Sequence, residues 1–233
     1  MEKSGQKIVV LTGAGISAES GLGTFRDEGG LWAQHRIEDV ATPEGFARDP
    51  GLVHGFYNAR RQQAAKAAPN AAHRALARLQ AQHRGEVVIV TQNVDALHEA
   101  GGAQQVLHMH GTLAGTWCAA GGYRWQAPAE MMVGHSCPTC AAPAARPDVV
   151  WFGEMPYHMA QIEAHLATAD VFAAIGTSGE VYPAAAFVDE AQAAGAHTVE
   201  LNLAPSATTS RFDERRYGAA SETVPAWVAE LLG

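Results

Sequence analysis

The glycine-spaced run Thr12-Gly13-Ala14-Gly15-Ile16-Ser17-Ala18 directly follows the apolar stretch Lys7-Ile8-Val9-Val10-Leu11. Gly13, Gly15 and Ala18 fit the G-x-G-x-x-G/A spacing of a dinucleotide-binding turn behind a buried strand. The first glycine permits the tight turn, the second lets backbone approach a pyrophosphate, and the small third residue admits close helix packing. A hydride-transfer enzyme would continue into a second strand ending in an acidic residue about 20 residues on. Here Ser20 to Trp32 is loop chemistry, with four glycines among charged residues, and Glu38 and Asp39 have no strand before them. The spacing predicts a bound dinucleotide that is not used for hydride transfer.

Three more groups of residues are equipped for chemistry. Gln92-Asn93-Val94-Asp95 follows the apolar run 86–91 and offers amides and a carboxylate where a strand gives way to a loop. Asn and Asp also shape turns without further function, and spacing alone does not choose between the two. His108 and His110 alternate within Val106 to His110, which reads as a strand. His110 is the better general base because Gly111 ends the strand behind it, and an imidazole near its ordinary pKa suits that work; His98 reads as a helix residue. Cys118, Cys137 and Cys140 form C-x18-C-x2-C, three of the four ligands a structural zinc site wants. Gly121 occupies the place that would complete the first C-x-x-C pair. His135, or water, is open as the fourth ligand, and three plain reduced cysteines are the simpler alternative.

Two segments offer substrate contacts. Tyr57 and Arg60 lie three apart in a helical stretch from Pro50 to Lys66 and so share a face. By composition, an amphipathic helix with Arg60 and Arg61 in solvent is the plainer reading. The sharper one is a pocket in which Arg60 grips a carboxylate in a bidentate pair and Tyr57 adds a hydroxyl. Val149 to Glu154 turns abruptly from apolar to polar; it reads either as core or as a channel wall whose backbone pairs with an extended peptide.

The elements that must position these groups follow from periodicity. Residues 7–12, 86–91, 170–175 and 197–201 are apolar runs of strand length, separated by helical patterns such as 70–85 and 184–194, and a closing helix runs from Pro225 to Leu232 with Pro225 in its first turn. Strand–helix alternation predicts an α/β, Rossmann-like parallel sheet. The loops leaving Gly13, Gln92, Gly176 and Asn202 should then converge on one cleft beyond the carboxyl ends of the strands. The expected division is a nucleotide-binding domain from residues 1–26, 70–110 and 149–233, with a smaller domain made of a helical insertion, 27–69, and a zinc-ribbon-like insertion, 111–148. At 233 residues, with 47% hydrophobic and 17% charged content, the chain is an ordinary globular one. Its net charge of −8 disfavours a nucleic-acid partner. No apolar run has the roughly 18 residues a membrane span needs, and the N-terminal apolar stretch is too short for a signal peptide, so a cytoplasmic location is expected.

Together these segments resemble the sirtuins, NAD-dependent protein-lysine deacylases, over nearly the whole chain. The motifs that carry the resemblance are Gly13 to Ser17, Thr24-Phe25-Arg26, Thr91 to Asp95, His110-Gly111, Val149 to Glu154, Gly176-Thr177-Ser178 and Asn202, in this order. The Tyr57-x-x-Arg60 pair is similar to that of the bacterial class III type, which recognises malonyl- and succinyl-lysine. The resemblance implies NAD as a consumed co-substrate, held by Gly13, Ala14, Gly15, Ile16, Ser17, Thr24, Phe25, Arg26, Trp32, Gln92, Asn93, Val94, Asp95, Gly176, Thr177, Ser178, Asn202, Leu203, Ala204 and Ala220. It implies His110 and Asn93 as catalytic residues, and Tyr57, Arg60, Val149, Phe152, Gly153 and Glu154 at an acyl-lysine peptide. Cys118, Cys137 and Cys140 would hold one structural zinc. Nicotinamide, free lysine and O-acyl-ADP-ribose would be the products, with His110 taking a proton from a ribose hydroxyl. Gly121 departs from the family at a zinc cysteine, and Gly23 at a position often proline or arginine. The partners implied are acylated proteins, with a monomer favoured. A protein ADP-ribosyltransferase on the same fold, a dehydrogenase and a non-enzymatic zinc module are the competing readings.

Overall fold

The computed structural model of this chain describes residues 5–23 and 34–233. Thr24, Phe25, Arg26 and Trp32, expected at the cofactor, lie outside the described residues.

Six parallel strands form the main sheet in the order β3-β2-β1-β7-β8-β9, with β1 Ile8–Thr12, β2 Val87–Thr91, β3 Val106–His108, β7 Val171–Ile175, β8 His197–Asn202 and β9 Glu214–Tyr217. Every residue of β1, β2 and β7 is buried, as expected where helices cover both faces of a parallel sheet. Two apolar layers result. One packs α5 (Ala71–Gln82) and α9 (Ala220–Leu232) through Leu76, Leu79 and Trp227 against Ile8, Val10 and Ile89. The other packs α7 (Met159–Leu166) and α8 (Phe187–Ala193) through Ile162 and Phe187 against Val9, Leu11 and Phe172.

Two excursions leave this sheet. The first carries α2 (Ile37–Val40), α3 (Pro43–Arg48) and α4 (Pro50–Ala64), each of the last two opened by a local cap. Thr42 accepts from the N–H of Gly45 and Asp49 from that of Leu52, with proline in the following position. The second is a three-stranded antiparallel sheet, β5-β4-β6, from β4 Gly111–Cys118, β5 Arg124–Gln126 and β6 Ala145–Val149. A third apolar cluster, including Val53, Phe56, Tyr57, Val94, Leu113, Val149 and Trp151, joins the two excursions to the loop after β2.

Four sequence expectations change. The stretch read as one strand to His110 stops at His108; Met109 donates its N–H to Thr91, and Gly111, at φ +75, turns the chain into β4. A side chain at Gly111 would also strike the carbonyl oxygen of Asp148, 2.1 Å from where its Cβ would stand. The insertion 111–148 forms a small three-stranded sheet, and Val149, assigned from the sequence to the nucleotide-binding domain, pairs there with Gly111. The closing helix begins at Ala220, five residues before the proline read as its start. Its first turn is held from afar: the Glu19 carboxylate accepts from the N–H and the Oγ of Ser221 at 2.9 and 2.5 Å. Pro225 therefore sits inside the helix, without the N–H that would reach back to Ser221. The edge strand β9, sequence Glu-Arg-Arg-Tyr, has no apolar pattern to reveal it, as suits an edge guarded by charge.

Candidate active site at the strand ends

The loops after β1, β2, β7 and β8 meet as expected. Gly13 and Gly15 donate their N–H groups to the carbonyls of Ile175 and Gly176, and Gln92 donates to Thr12. Asn202 Nδ2 donates to the Thr177 carbonyl at 2.8 Å. The glycines have a further physical reason within the chain itself. A Cβ on Gly13 would stand 2.7 Å from the Gly176 oxygen, one on Gly15 2.8 Å from the Gly176 Cα, and one on Gly176 2.4 Å from the Ile16 nitrogen. The three interlock with one another, so their smallness builds the floor of the cleft before any ligand arrives. Helix α1 (Gly15–Ala18) is one short turn, and the N–H groups of Gly13, Gly15, Ile16 and Ser17 are all used within the chain. Of the outer cofactor candidates, Ser178 accepts from Ala207 through its carbonyl, Leu203 and Ala204 are exposed, and Ala220 begins α9.

Behind this floor runs a buried polar chain. Asn93 Nδ2 donates to the Gly13 carbonyl at 3.1 Å and to Ser17 Oγ at 3.2 Å. A carbonyl only accepts, so the amide orientation is fixed and Asn93 Oδ1 faces the other way. Ser17 Oγ in turn donates to Asp95 Oδ2 at 3.1 Å, while Asp95 Oδ1 accepts from the N–H of Leu97 at 3.0 Å. Burial pushes the Asp95 carboxyl upward; the two hydrogen bonds and the charges of His108 and Arg60 oppose it. Val94 packs beneath this loop in the third cluster. Gln92 Nε2 is buried and finds no partner among the described residues, a donor suited to a polar ligand at the strand ends.

The two histidines flanking Met109 differ in protonation, and their partners show why. His108 places Nδ1 3.1 Å from the Asn93 carbonyl and Nε2 2.7 Å from Glu99 Oε1. Both partners accept, so both nitrogens carry protons. Burial alone would lower its pKa, yet the Glu99 carboxylate raises it overall. His110 makes one such contact, Nδ1 to the Gln92 carbonyl at 3.1 Å. That fixes the proton on Nδ1 and leaves Nε2 with a lone pair, and burial pushes its pKa below the ordinary value. His110 thus favours the neutral imidazole with Nε2 as its basic nitrogen, and His108 favours the charged form, both its nitrogens committed to structural partners.

Two more histidines are deeply buried: His98, in a short helix Leu97–Ala100 as expected, and His73, which the sequence did not single out. His98 Nε2 lies 2.9 Å from Thr12 Oγ1, which bonds Thr91 Oγ1 at 2.8 Å. His73 closes a capping box with Asn70 and reaches Ser17 Oγ at 3.4 Å, its ring edge-on to His98 at 5.1 Å. Asn70 three residues ahead of His73 was the available signal. Burial lowers His73 to about 4 and His98 to about 3. Both stay neutral in the fold while the unfolded chain takes up protons below about pH 6.5. Stability is therefore intact above that pH and falls as pH drops toward the folded values. Urea unfolding at about pH 4.5 should show a loss of about 2 kcal/mol or more from each histidine relative to about pH 7. A His98→Gln variant should lose correspondingly less on acidification; an equal loss would contradict the assignment.

On α4, Tyr57 is buried and its hydroxyl accepts from Trp151 Nε1 at 2.9 Å, so its own proton is not used in that bond. The Arg60 guanidinium stands 5.7 Å from the Tyr57 ring centre and 5.8 Å from that of Phe56. Burial lowers its pKa against the opposing pull of Tyr57 and Asp95. Arg60 is thus half-buried, its guanidinium held toward the Phe56 and Tyr57 rings that its helix buries, and not fully on the solvent face that composition favoured. In the segment 149–154, Phe152 is exposed, whereas the Glu154 carboxylate is bound by Arg146 at 2.7 and 2.9 Å and by the Trp151 N–H at 2.8 Å. The N–H groups of Val150, Phe152 and Glu154 are also used, by His110, Ala41 and Trp151. A peptide pairing here would therefore meet Gly153 and carbonyl groups, not the open backbone the sequence suggested. Arg146 lies between Trp117 and Trp151, its guanidinium 4.8 and 3.5 Å from their ring centres, and so ties the small sheet to this segment.

The three cysteine sulfurs lie within 4.8 Å of one another, and Cys118 and Cys137 are buried. Thiolates at this spacing, with N–H groups of Gly121 and Thr139 donating to two of them, suit a zinc ion. His135 does not join the cluster among the described residues.

A parallel sheet with a glycine-built cleft at its carboxyl edge, beside a small sheet carrying a cysteine cluster, defines a nucleotide-handling enzyme of two sheets. Residues 13–183 match the model of the Sir2 family. The chain is 57% identical over 230 residues to an NAD-dependent protein deacylase of Vibrio vulnificus (strain YJ016), covering 97% of this chain and 94% of the relative. It is 56% identical to one of Caulobacter vibrioides, with 97% of each covered. A Sir2 homologue in complex with NAD superposes with a TM-score of 0.90 at 35% identity, over 98% of this chain and 90% of that one. An ADP-ribose complex of a Sir2 homologue superposes equally well, at 0.90, over 98% and 93%. The chain belongs to the Sir2 family, and it is an enzyme with the Sir2 fold.

Proposed function

We propose that this enzyme is an NAD-dependent protein-lysine deacylase that removes acidic acyl groups, succinyl and malonyl, as well as acetyl. The observation that carries the acidic preference is the inward-facing Arg60 beside a Tyr57 hydroxyl whose acceptor side is already taken by Trp151. An acyl carboxylate reaching this pair would meet a guanidinium and an O–H donor together, the pairing that most favours a desolvated carboxylate.

Bound NAD would supply an electrophilic ribose carbon for the acyl oxygen of a modified lysine, with nicotinamide as the leaving group. The residues of this chain serve that step as follows. The interlocked turns at Gly13–Ser17 and Gly176–Ser178, with Asn202, receive the nucleotide. Asn93 and Asp95, held by the Gly13 carbonyl and Ser17, would meet the nicotinamide and its ribose. His110 Nε2 takes the proton of a ribose hydroxyl, because its Nδ1 proton is fixed on Gln92. Phe152, Gly153 and Val149 border the lysine, with Glu154 acting through Arg146 and Trp151 to hold that wall. The main sheet is then the nucleotide domain, the helical insertion shapes the acyl pocket, and zinc at Cys118, Cys137 and Cys140 would hold the small sheet together without entering the chemistry. The substrates are acylated proteins.

The test is nicotinamide release from NAD with acyl-lysine peptides, read together with the fate of ADP-ribose by mass spectrometry. Release that requires the peptide and yields free lysine with soluble O-acyl-ADP-ribose supports the reading. ADP-ribose retained covalently on protein would replace it with the transferase reading.

A further inference from the structure

The two turns that carry the cysteines repeat one another with one ligand changed. In the second, Cys137 and Cys140 are first and fourth; Ala141 follows at φ +58, and its N–H donates to the Cys137 carbonyl at 2.9 Å. The Thr139 N–H donates to Cys137 Sγ at 3.4 Å. In the first turn, Cys118 and Gly121 are first and fourth. Gly122 follows at φ +72, its N–H donates to the Cys118 carbonyl at 2.8 Å, and the Gly121 N–H donates to Cys118 Sγ at 3.3 Å. Gly121 therefore stands in its turn where Cys140 stands in the other. A Cβ at Gly121 would lie 3.6 Å from Cys140 Sγ and 3.9 Å from Cys118 Sγ, ordinary contact distances aimed at the sulfurs. Both Gly121 and Cys140 are exposed, whereas Cys118 and Cys137 are buried. The fourth corner of the cluster thus lies on the water side, and no described His, Cys, Asp or Glu fills it.

We infer that these cysteines form a three-thiolate zinc site whose fourth position is open to solvent and takes an exchangeable ligand, water or a small thiol. The inference rests on the reading of the cluster as a zinc site. A closed set of four protein ligands marks a purely structural zinc; a position left to solvent can be entered from outside. Here a thiol in solution would replace water without any change in the fold. Because Gly121 lacks a left-handed φ and has room, a cysteine there closes the site in place.

The experiment uses the full chain, reduced and stripped of metal, titrated anaerobically with Co2+ and followed by its visible ligand-field bands. The wild type should bind one Co2+, and 2-mercaptoethanol should shift its bands toward those of a four-thiolate site. G121C should show the four-thiolate bands at once and no shift with thiol. It should also hold Zn2+ against a chelator roughly tenfold or more tightly than the wild type. G121A should behave as the wild type, which separates ligation from a mere effect of adding a side chain. Wild-type bands unmoved by thiol would overturn the open position while leaving the metal cluster standing. Failure of wild type and G121C alike to bind Co2+ would overturn the metal reading itself.

Discussion

A His110→Ala enzyme should be folded and nearly inert. Positioned acid–base groups contribute typically 10²–10⁴-fold, so kcat for deacylation should fall by about that factor. His110 gives its Nδ1 proton to the Gln92 carbonyl, and Nε2 is the nitrogen left to accept. His108 cannot substitute, because its two nitrogens donate to Asn93 and Glu99. A His108→Gln change should therefore act mainly on stability, since it leaves the Glu99 carboxylate without its cation. The sign of the pH dependence follows. His110 must be neutral to work, and burial holds its pKa below the ordinary imidazole value. The acid limb of kcat/KM should then have a midpoint below about 6.5, and activity should be lost as pH falls through it. Equal losses of kcat in the two histidine variants would contradict the assignment.

Arg60→Met should divide the substrates. Removing one partner of a buried charge pair costs roughly 3–5 kcal/mol, whereas a neutral acyl chain makes no such pair. The expected outcome is a fall of more than a hundredfold in kcat/KM for succinyl and malonyl peptides, with acetyl turnover within a few-fold of wild type. Tyr57→Phe should produce a smaller loss of the same selectivity, because it removes a neutral donor and leaves the guanidinium. It also takes the acceptor from Trp151 Nε1, so its stability must be measured alongside. Parallel losses on acetyl and succinyl peptides would place Arg60 in the scaffold and not at the acyl carboxylate.

What the sequence disclosed depended on whether the signal was local. β1, β2 and β7 are buried on both faces, so each reads as an unbroken apolar run. The turns leaving these strands announce themselves by glycine, asparagine and aspartate. Other features depend on partners far along the chain. The first turn of α9 is held by Glu19, which no local pattern around Pro225 reveals. The β4–β6 sheet is tied to its surroundings by Arg146, which lies between two tryptophans distant from one another in the sequence. The motif marked Asn93, Asp95 and His110, but their orientation comes from Ser17, Gln92 and Gly13 across the cleft. His98 reads as an ordinary helix residue, and His73 falls in the 70–85 helical pattern; the meeting of α5 with the short helix Leu97–Ala100 at the strand ends makes the two a buried polar seam. Arg60 shows the same limit: composition places an arginine in solvent, and the burial of Phe56 and Tyr57 draws it inward.

The proposed recognition of an acyl group by its terminal carboxylate is measured by kcat/KM of the wild-type protein, with saturating NAD, on one peptide carrying acetyl-, butyryl- or succinyl-lysine, scored by mass spectrometry of the deacylated product. Succinyl-lysine should be turned over better than the neutral butyryl chain of similar length. Butyryl turnover equal to or faster than succinyl would contradict the account.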